Sequence, residues 1–206
     1  MKRAALIALS LLAACASPLP LGERPKVSSA DLDDLTAVLK RDFHERGIAK
    51  MDRLEPDAVQ RLCNLHNDNP PSEAARPVEE AQFKAIPFPA GSLMGDWKRG
   101  EAIAQSGRGM TWSDKPGPGG GSCYNCHELS PREESHGTLG PSLRGFGKAR
   151  GNGAEMQKYV YGKIYNSKAY SACSHMPRLG VSGTLTEAQI KDLVALLLDP
   201  ASPVNQ

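Results

Sequence analysis

Two of the five cysteines stand two residues apart with a histidine directly after them, as Cys123-Tyr124-Asn125-Cys126-His127. A single helical turn carrying this run presents two thiols along one edge and an imidazole beside them. Thiols at that spacing can add to the two vinyl groups on one edge of a porphyrin, and the imidazole can then reach the iron from one face. This is the attachment pattern of c-type haem. Two other chemistries use Cys-x-x-Cys. A redox dithiol expects a thioredoxin-like alternation of strands and helices, and the chain shows no strand pattern. Half of a zinc site expects a second Cys-x-x-Cys or a His-x-His partner, and neither occurs. The sequence therefore predicts one covalently bound haem c, anchored by Cys123 and Cys126, with His127 on the iron.

An axial imidazole needs an acceptor for its other nitrogen, which fixes the ring and tunes its basicity. Leu139-Gly140-Pro141-Ser142-Leu143 resembles the Gly-Pro segment of class I cytochromes c, whose proline carbonyl takes that proton. A plain turn would also explain Gly-Pro. A low-spin electron-transfer haem needs a second axial ligand, usually Met or His. Met176 lies in Ser174-His175-Met176-Pro177-Arg178, a loop with polar neighbours where a filler methionine is not expected. Met110 and Met156 read as filler. His175 is the rival ligand, while His44, His66 and His136 read as surface residues. The expected set is His127 and Met176, with a higher reduction potential than bis-His ligation gives.

These groups must be positioned by helices. Leu32, Leu35, Leu39 and Phe43 recur at near-helical spacing, with Ser28 or Ser29 as N-cap and Gly47 as a stop. A short helix is expected to start at Pro56 and run through Val59, Leu62 and Cys63, and another to cover Pro77 to Phe83. Asp96 is a candidate N-cap for Trp97 to Gln105. A Gly- and Pro-rich loop, Gly107 to Ser122, then delivers the chain to the haem motif. Gly145 to Gly153 reads as a loop, and Met156 to Tyr165 as a helix with Val160 and Ile164 on one side. The last helix carries the fullest signal. Thr186 and Gln189 form a capping box, Leu185 and Ile190 a hydrophobic staple, Ile190, Leu193, Val194 and Leu197 one face, and Pro200 the end.

The chain has 206 residues, 40% hydrophobic but only 5% aromatic, a thin supply for an all-protein core that a buried porphyrin would supplement. Lys2 and Arg3 followed by the apolar run Ala4 to Ala14 read as an export leader, too short to span a bilayer, which takes about 20 apolar residues. Leu12-Ala13-Ala14-Cys15 resembles a lipobox that would acylate Cys15 and tether the protein to a membrane. Ala14-Cys15-Ala16 also fits ordinary signal cleavage, and both readings stay open. The chain divides into residues 1–16 as leader, 17–91 as helical extension and linker, and 92–206 as haem domain, the extension opening on a Pro18–Pro25 tether. From Ser17 to Ser92 there are 10 basic and 13 acidic residues, and from Leu93 to Gln206 13 and 10. So small an imbalance fits a normally solvated surface, and no dense basic run points to nucleic acid. With Cys15 lipidated or cleaved away, Cys63 and Cys173 are left as a pair in an oxidising compartment and are expected to bridge; the alternatives are two unrelated buried thiols or a catalytic cysteine, for which no adjacent base is present.

Taken together, Gly140-Pro141-Ser142-Leu143, His175-Met176-Pro177-Arg178-Leu179-Gly180, Leu185-Thr186-Glu187 and Leu198-Asp199-Pro200-Ala201-Ser202-Pro203-Val204 resemble SoxX. SoxX is the monohaem subunit of the SoxAX cytochrome of bacterial sulfur oxidation. The resemblance covers about Ser92 to Val204. It implies a mainly α fold, with a class I cytochrome c-like haem domain preceded by a small helical N-terminal extension. It also implies a periplasmic heterodimer with a SoxA-type haem protein, whose cysteine couples thiosulfate oxidatively to a cysteine of a SoxY-type carrier. This chain would pass the electrons to a small acceptor cytochrome and carry no residue for substrate chemistry. A free-standing electron shuttle is the alternative. A peroxidase-like enzyme would require a vacant or labile iron position.

Overall fold

The computed structural model describes residues 27–206; the leader and the Pro18–Pro25 tether lie outside the described residues. Helix α1 (Ser29–Asp42) starts where the Ser28 hydroxyl accepts from the Asp31 amide at 3.2 Å and the Asp31 carboxylate accepts from the Ser28 amide at 2.8 Å. It ends before the stop expected at Gly47, because Phe43 already turns extended. Gly47 (φ +53°) sits instead in the following turn, closed by the pairing of Arg46 with Ala49. Helix α2 (Ala58–Leu65) is capped by Asp57, whose carboxylate takes the Gln60 amide at 2.8 Å. Pro56 therefore precedes the cap rather than opening the first turn. A carboxylate satisfies an orphan amide, which proline can only omit.

Helix α3 (Ser72–Lys84) begins five residues before Pro77, where the sequence places its start, and holds that proline inside. Its first turn is closed by backbone alone, the Pro71 carbonyl accepting from Ala74 and Ala75 at 2.9 and 3.0 Å. Helix α4 (Trp97–Gln105) starts as expected, with Asp96 accepting from the Lys98 amide at 2.9 Å. The segment expected as a loop contains a short helix, α5 (Phe146–Arg150), bounded by Gly145 (φ +68°) and Gly151 (φ +77°). Helix α6 (Ala154–Tyr165) buries Val160 and Ile164, and α7 (Glu187–Leu198) carries the Thr186/Gln189 capping box. Leu185 and Ile190 are both buried, as the staple requires. Among the described residues there is no strand, only the Arg46–Ala49 bridge.

The core centres on α7, eight of whose twelve residues are buried. Helix α4 crosses it closely because Gly100 has no side chain; a Cβ there would meet the Asp192 carbonyl and Leu196. Asp192, 5% exposed, anchors that crossing. It accepts from the Asp96 amide at 2.8 Å and from Arg99 through Nε at 2.9 Å and Nη2 at 2.8 Å. Burial raises its pKa, but the Arg99 fork, the Asp96 amide and the Arg99 charge outweigh it and hold the carboxyl below its usual value. At the far end, the tail closes the helix's open carbonyls. The Ser202 hydroxyl donates to the Leu196 carbonyl, and Asn205 Nδ2 donates to those of Leu197 and Asp199 at 3.1 and 2.9 Å.

Candidate functional site

The Cys-x-x-Cys-His run leaves α4 through the glycine-rich loop and forms one 3₁₀ turn, Cys123–Asn125. The Cys123 carbonyl accepts from the amides of Cys126 at 3.1 Å and His127 at 2.9 Å, so one carbonyl organises both thiols and the imidazole. Between the thiols Tyr124 turns inward and is buried, while Asn125 faces solvent. Cys123 and Cys126 are not bonded to each other. Burial pushes the Cys123 thiol up to about 12, with the neighbouring Cys126 adding to the rise. Redox dithiols work through a thiolate of lowered pKa, and this environment does the opposite.

His127 is held from outside the motif. Its Nδ1 lies 2.7 Å from the Pro141 carbonyl oxygen, fourteen residues on. A carbonyl only accepts, so the proton is on Nδ1, and the lone pair of Nε2 is free to bind a metal. The approach is close because residue 140 is glycine: a Cβ there would run into the imidazole ring. The Gly140 amide also donates to the Cys126 carbonyl at 2.8 Å, fixing the segment's register against the motif.

Cys123, His127 and Met176 line one small cavity of about 40 Å³, walled by Leu129 and Leu143 from the connecting segments and by Ile164, Leu193, Leu196 and Leu197 from α6 and α7. Met176 reaches it from the connection between α6 and α7, where the Ser167 hydroxyl donates to the Met176 carbonyl at 2.5 Å. His175 points away: its side chain is 86% exposed, 3.6 Å from Asp68. Met110 is exposed and Met156 packs on the core, and His44, His66 and His136 are exposed. Cys126 does not line the cavity but sits on the same turn as Cys123. Among the described residues the one metal-like cluster is Cys63, Asp68 and Cys173, and its two sulfurs are bonded to each other. That leaves the zinc alternative without a donor set among the described residues.

The chemistry of the lining suits a haem: apolar walls for a ring, two thiols on one turn for its edge, and an oriented imidazole and a thioether opening onto the same space. Cys63 and Cys173 are bridged, with Cα atoms 5.5 Å apart, tying α2 to the segment that carries Met176. Further polar contacts between the extension and that segment, among them those from Asp57, Glu79 and Gln82, had no signal in the sequence. Each is a lone polar residue on a helix surface until the fold brings its partner.

Fold and site together define a mainly α protein whose described helices bring a Cys-x-x-Cys-His turn, Pro141 and Met176 around one apolar cavity. No family model matches the chain. Among curated proteins it is 35% identical over 189 residues, 88% of this chain and 85% of the relative, to an uncharacterized lipoprotein of Aquifex aeolicus (strain VF5). The chain belongs to the family of that lipoprotein. Among solved structures it is similar to a chain in the crystal structure of SoxXA from P. pantotrophus, at 24% identity and a TM-score of 0.40. That likeness covers 57% of this chain and 90% of the other. Among the described residues no helix is long and apolar enough to cross a membrane.

Proposed function

We propose that the chain is a monohaem c-type cytochrome that transfers electrons. Cys123 and Cys126 hold the haem by thioether bonds, each thiol adding across one vinyl group, and His127 Nε2 and the Met176 sulfur ligate the iron. The observation that carries this reading is the convergence of Cys123, a Pro141-oriented imidazole and the Met176 thioether on one apolar cavity. When bound, the haem supplies a centre that gains and loses one electron. The polypeptide does the rest. Pro141 keeps His127 in the tautomer that offers Nε2. The leucines and Ile164 exclude water and so favour the less charged state of the site. With His127 and Met176 both committed as ligands, a bound haem would offer a substrate no place on its iron.

More finely, the chain serves as the electron-transfer subunit beside a SoxA-type haem protein, in a complex that couples thiosulfate to a cysteine of a SoxY-type carrier. Electrons then leave to a small acceptor cytochrome. The Met-Pro-Arg-x-Gly loop and the Asp-Pro-Ala-Ser-Pro-Val tail support this assignment, and the free-standing shuttle is the alternative. The site is periplasmic and lipid-anchored through Cys15; the lipoprotein relative supports the anchor. Residues 17–91 act as an extension to a haem domain at 92–206.

Two measurements test this reading. Met176→Ala should abolish the sulfur-to-iron charge-transfer band of the oxidised protein, and a surviving band would remove Met176 as the ligand. Co-purification with a second haem protein separates the complex subunit from the shuttle, which would purify alone.

A further inference from the structure

We propose that α2 and α3 are a clamp whose residues Cys63, Glu79, Gln82 and Asp57 position the Met176 loop, setting how readily the thioether leaves the iron. The proposal rests on the reading that Met176 is an axial ligand. Besides the Phe83–Tyr170 ring contact and the loose Asp68–His175 pairing, four close ties reach from the extension to that one stretch of chain. Cys63 of α2 is bonded to Cys173. Glu79 of α3 accepts from the Ala172 amide at 2.8 Å, and Gln82 Oε1 accepts from Asn166 Nδ2 at 2.9 Å. Beyond Met176, Arg178 donates to Asp57, the cap of α2, at 2.5 Å.

The ties fall on both sides of the ligand and leave its side chain facing the cavity. Within the loop, the Lys168 ammonium donates to the Ala172 carbonyl at 3.1 Å and the Ser174 carbonyl at 3.4 Å. The stretch is therefore cross-braced as well as anchored. A neutral thioether on oxidised iron competes with any imidazole in solution. How well it competes depends on its effective concentration at the iron, which falls as a detached loop gains conformations. A loop pinned on both sides gains few. The extension, which a haem-binding fold does not itself need, thus serves to hold the weak ligand in place.

The test is the rate at which added imidazole displaces the thioether in the oxidised holoprotein, followed by loss of the charge-transfer band. Cys63→Ser with Cys173→Ser should accelerate displacement at least about tenfold, equivalent to ~1.4 kcal/mol of restraint. Glu79→Ala should accelerate it as well, while Glu79→Gln, whose amide oxygen still accepts from Ala172, should keep the parent rate. Such rescue would not follow from general loss of packing. If the double variant does not fold, the Glu79→Ala and Glu79→Gln pair carries the test alone. Parent rates in folded double-serine and Glu79→Ala proteins overturn the clamp while leaving Met176 ligation standing. A charge-transfer band that persists in Met176→Ala overturns the ligand assignment, and the clamp with it.

Discussion

Replacing Asp192 with alanine tests the crossing of α4 on α7 that delivers the chain to the haem motif. The carboxylate is 5% exposed and accepts the Asp96 amide at 2.8 Å and two Arg99 nitrogens. Its removal leaves the Asp96 amide without a partner in a half-buried place, costing about 1–3 kcal/mol. Arg99 is largely exposed and regains water, so it adds nothing to that figure. With a urea dependence of about 2 kcal/mol per molar, the midpoint should fall by roughly 0.5–1.5 M, read by far-ultraviolet circular dichroism. Asp192→Asn should fall less, because its amide oxygen still accepts from Asp96. The folded carboxyl is held below its ordinary value of 3.8. Its ionic contribution is therefore fully present above 3.8 and lost as pH falls through the lower folded value. The gap between parent and Asp192→Ala should be constant near neutrality and narrow in acid below that point. Midpoints that coincide at neutral pH, or a gap that widens in acid, would refute the reasoning.

Reduction of the Cys63–Cys173 bridge frees a loop spanning 110 residues, for which chain entropy gives about 5 kcal/mol; denaturant curves with and without reductant should show a loss of that order. Gly140→Ala forces the His127 ring or its backbone to move. It should cost about 1–3 kcal/mol and lower the haem-loaded fraction, read as the ratio of Soret to protein absorbance. Ser202→Ala strips the Leu196 carbonyl of its donor at a site with no exposure. The loss of about 1–3 kcal/mol should lower Tm by roughly 2–12 °C, at about 2–4 °C per kcal/mol for a chain of this size.

Local chemistry made part of the fold legible in the sequence. Thr186 and Gln189 announce α7, and Asp96 announces α4, because a cap is a short-range hydrogen bond between residues near in sequence. The start of α3 is hidden because its first turn uses backbone groups only; the one visible signal, Pro77, lies inside the helix rather than at its first turn. Helix α5 is hidden by its glycines, which read as loop residues while marking both its ends. The stripe on α1 is legible as a helix but not as a core face: Leu32 is buried, whereas Leu35 and Leu39 are 55% and 43% exposed. At the site, the motif, the Gly-Pro segment and Met176 are legible as candidates because the haem chemistry proposed for them restricts residue type and order. The bracing by Glu79, Gln82, Asp57 and Arg178 is not. Those contacts join residues far apart in sequence, and nothing local distinguishes them from other surface polar groups.

The proposed electron-transfer function requires a porphyrin bound covalently to Cys123 and Cys126. Mass spectrometry of the mature protein, before and after extraction with acidified acetone, measures that bond most directly. The expected result is a polypeptide heavier by one haem in both samples, with the colour remaining in the protein. A colourless protein of bare polypeptide mass, or pigment released into the solvent, would contradict it.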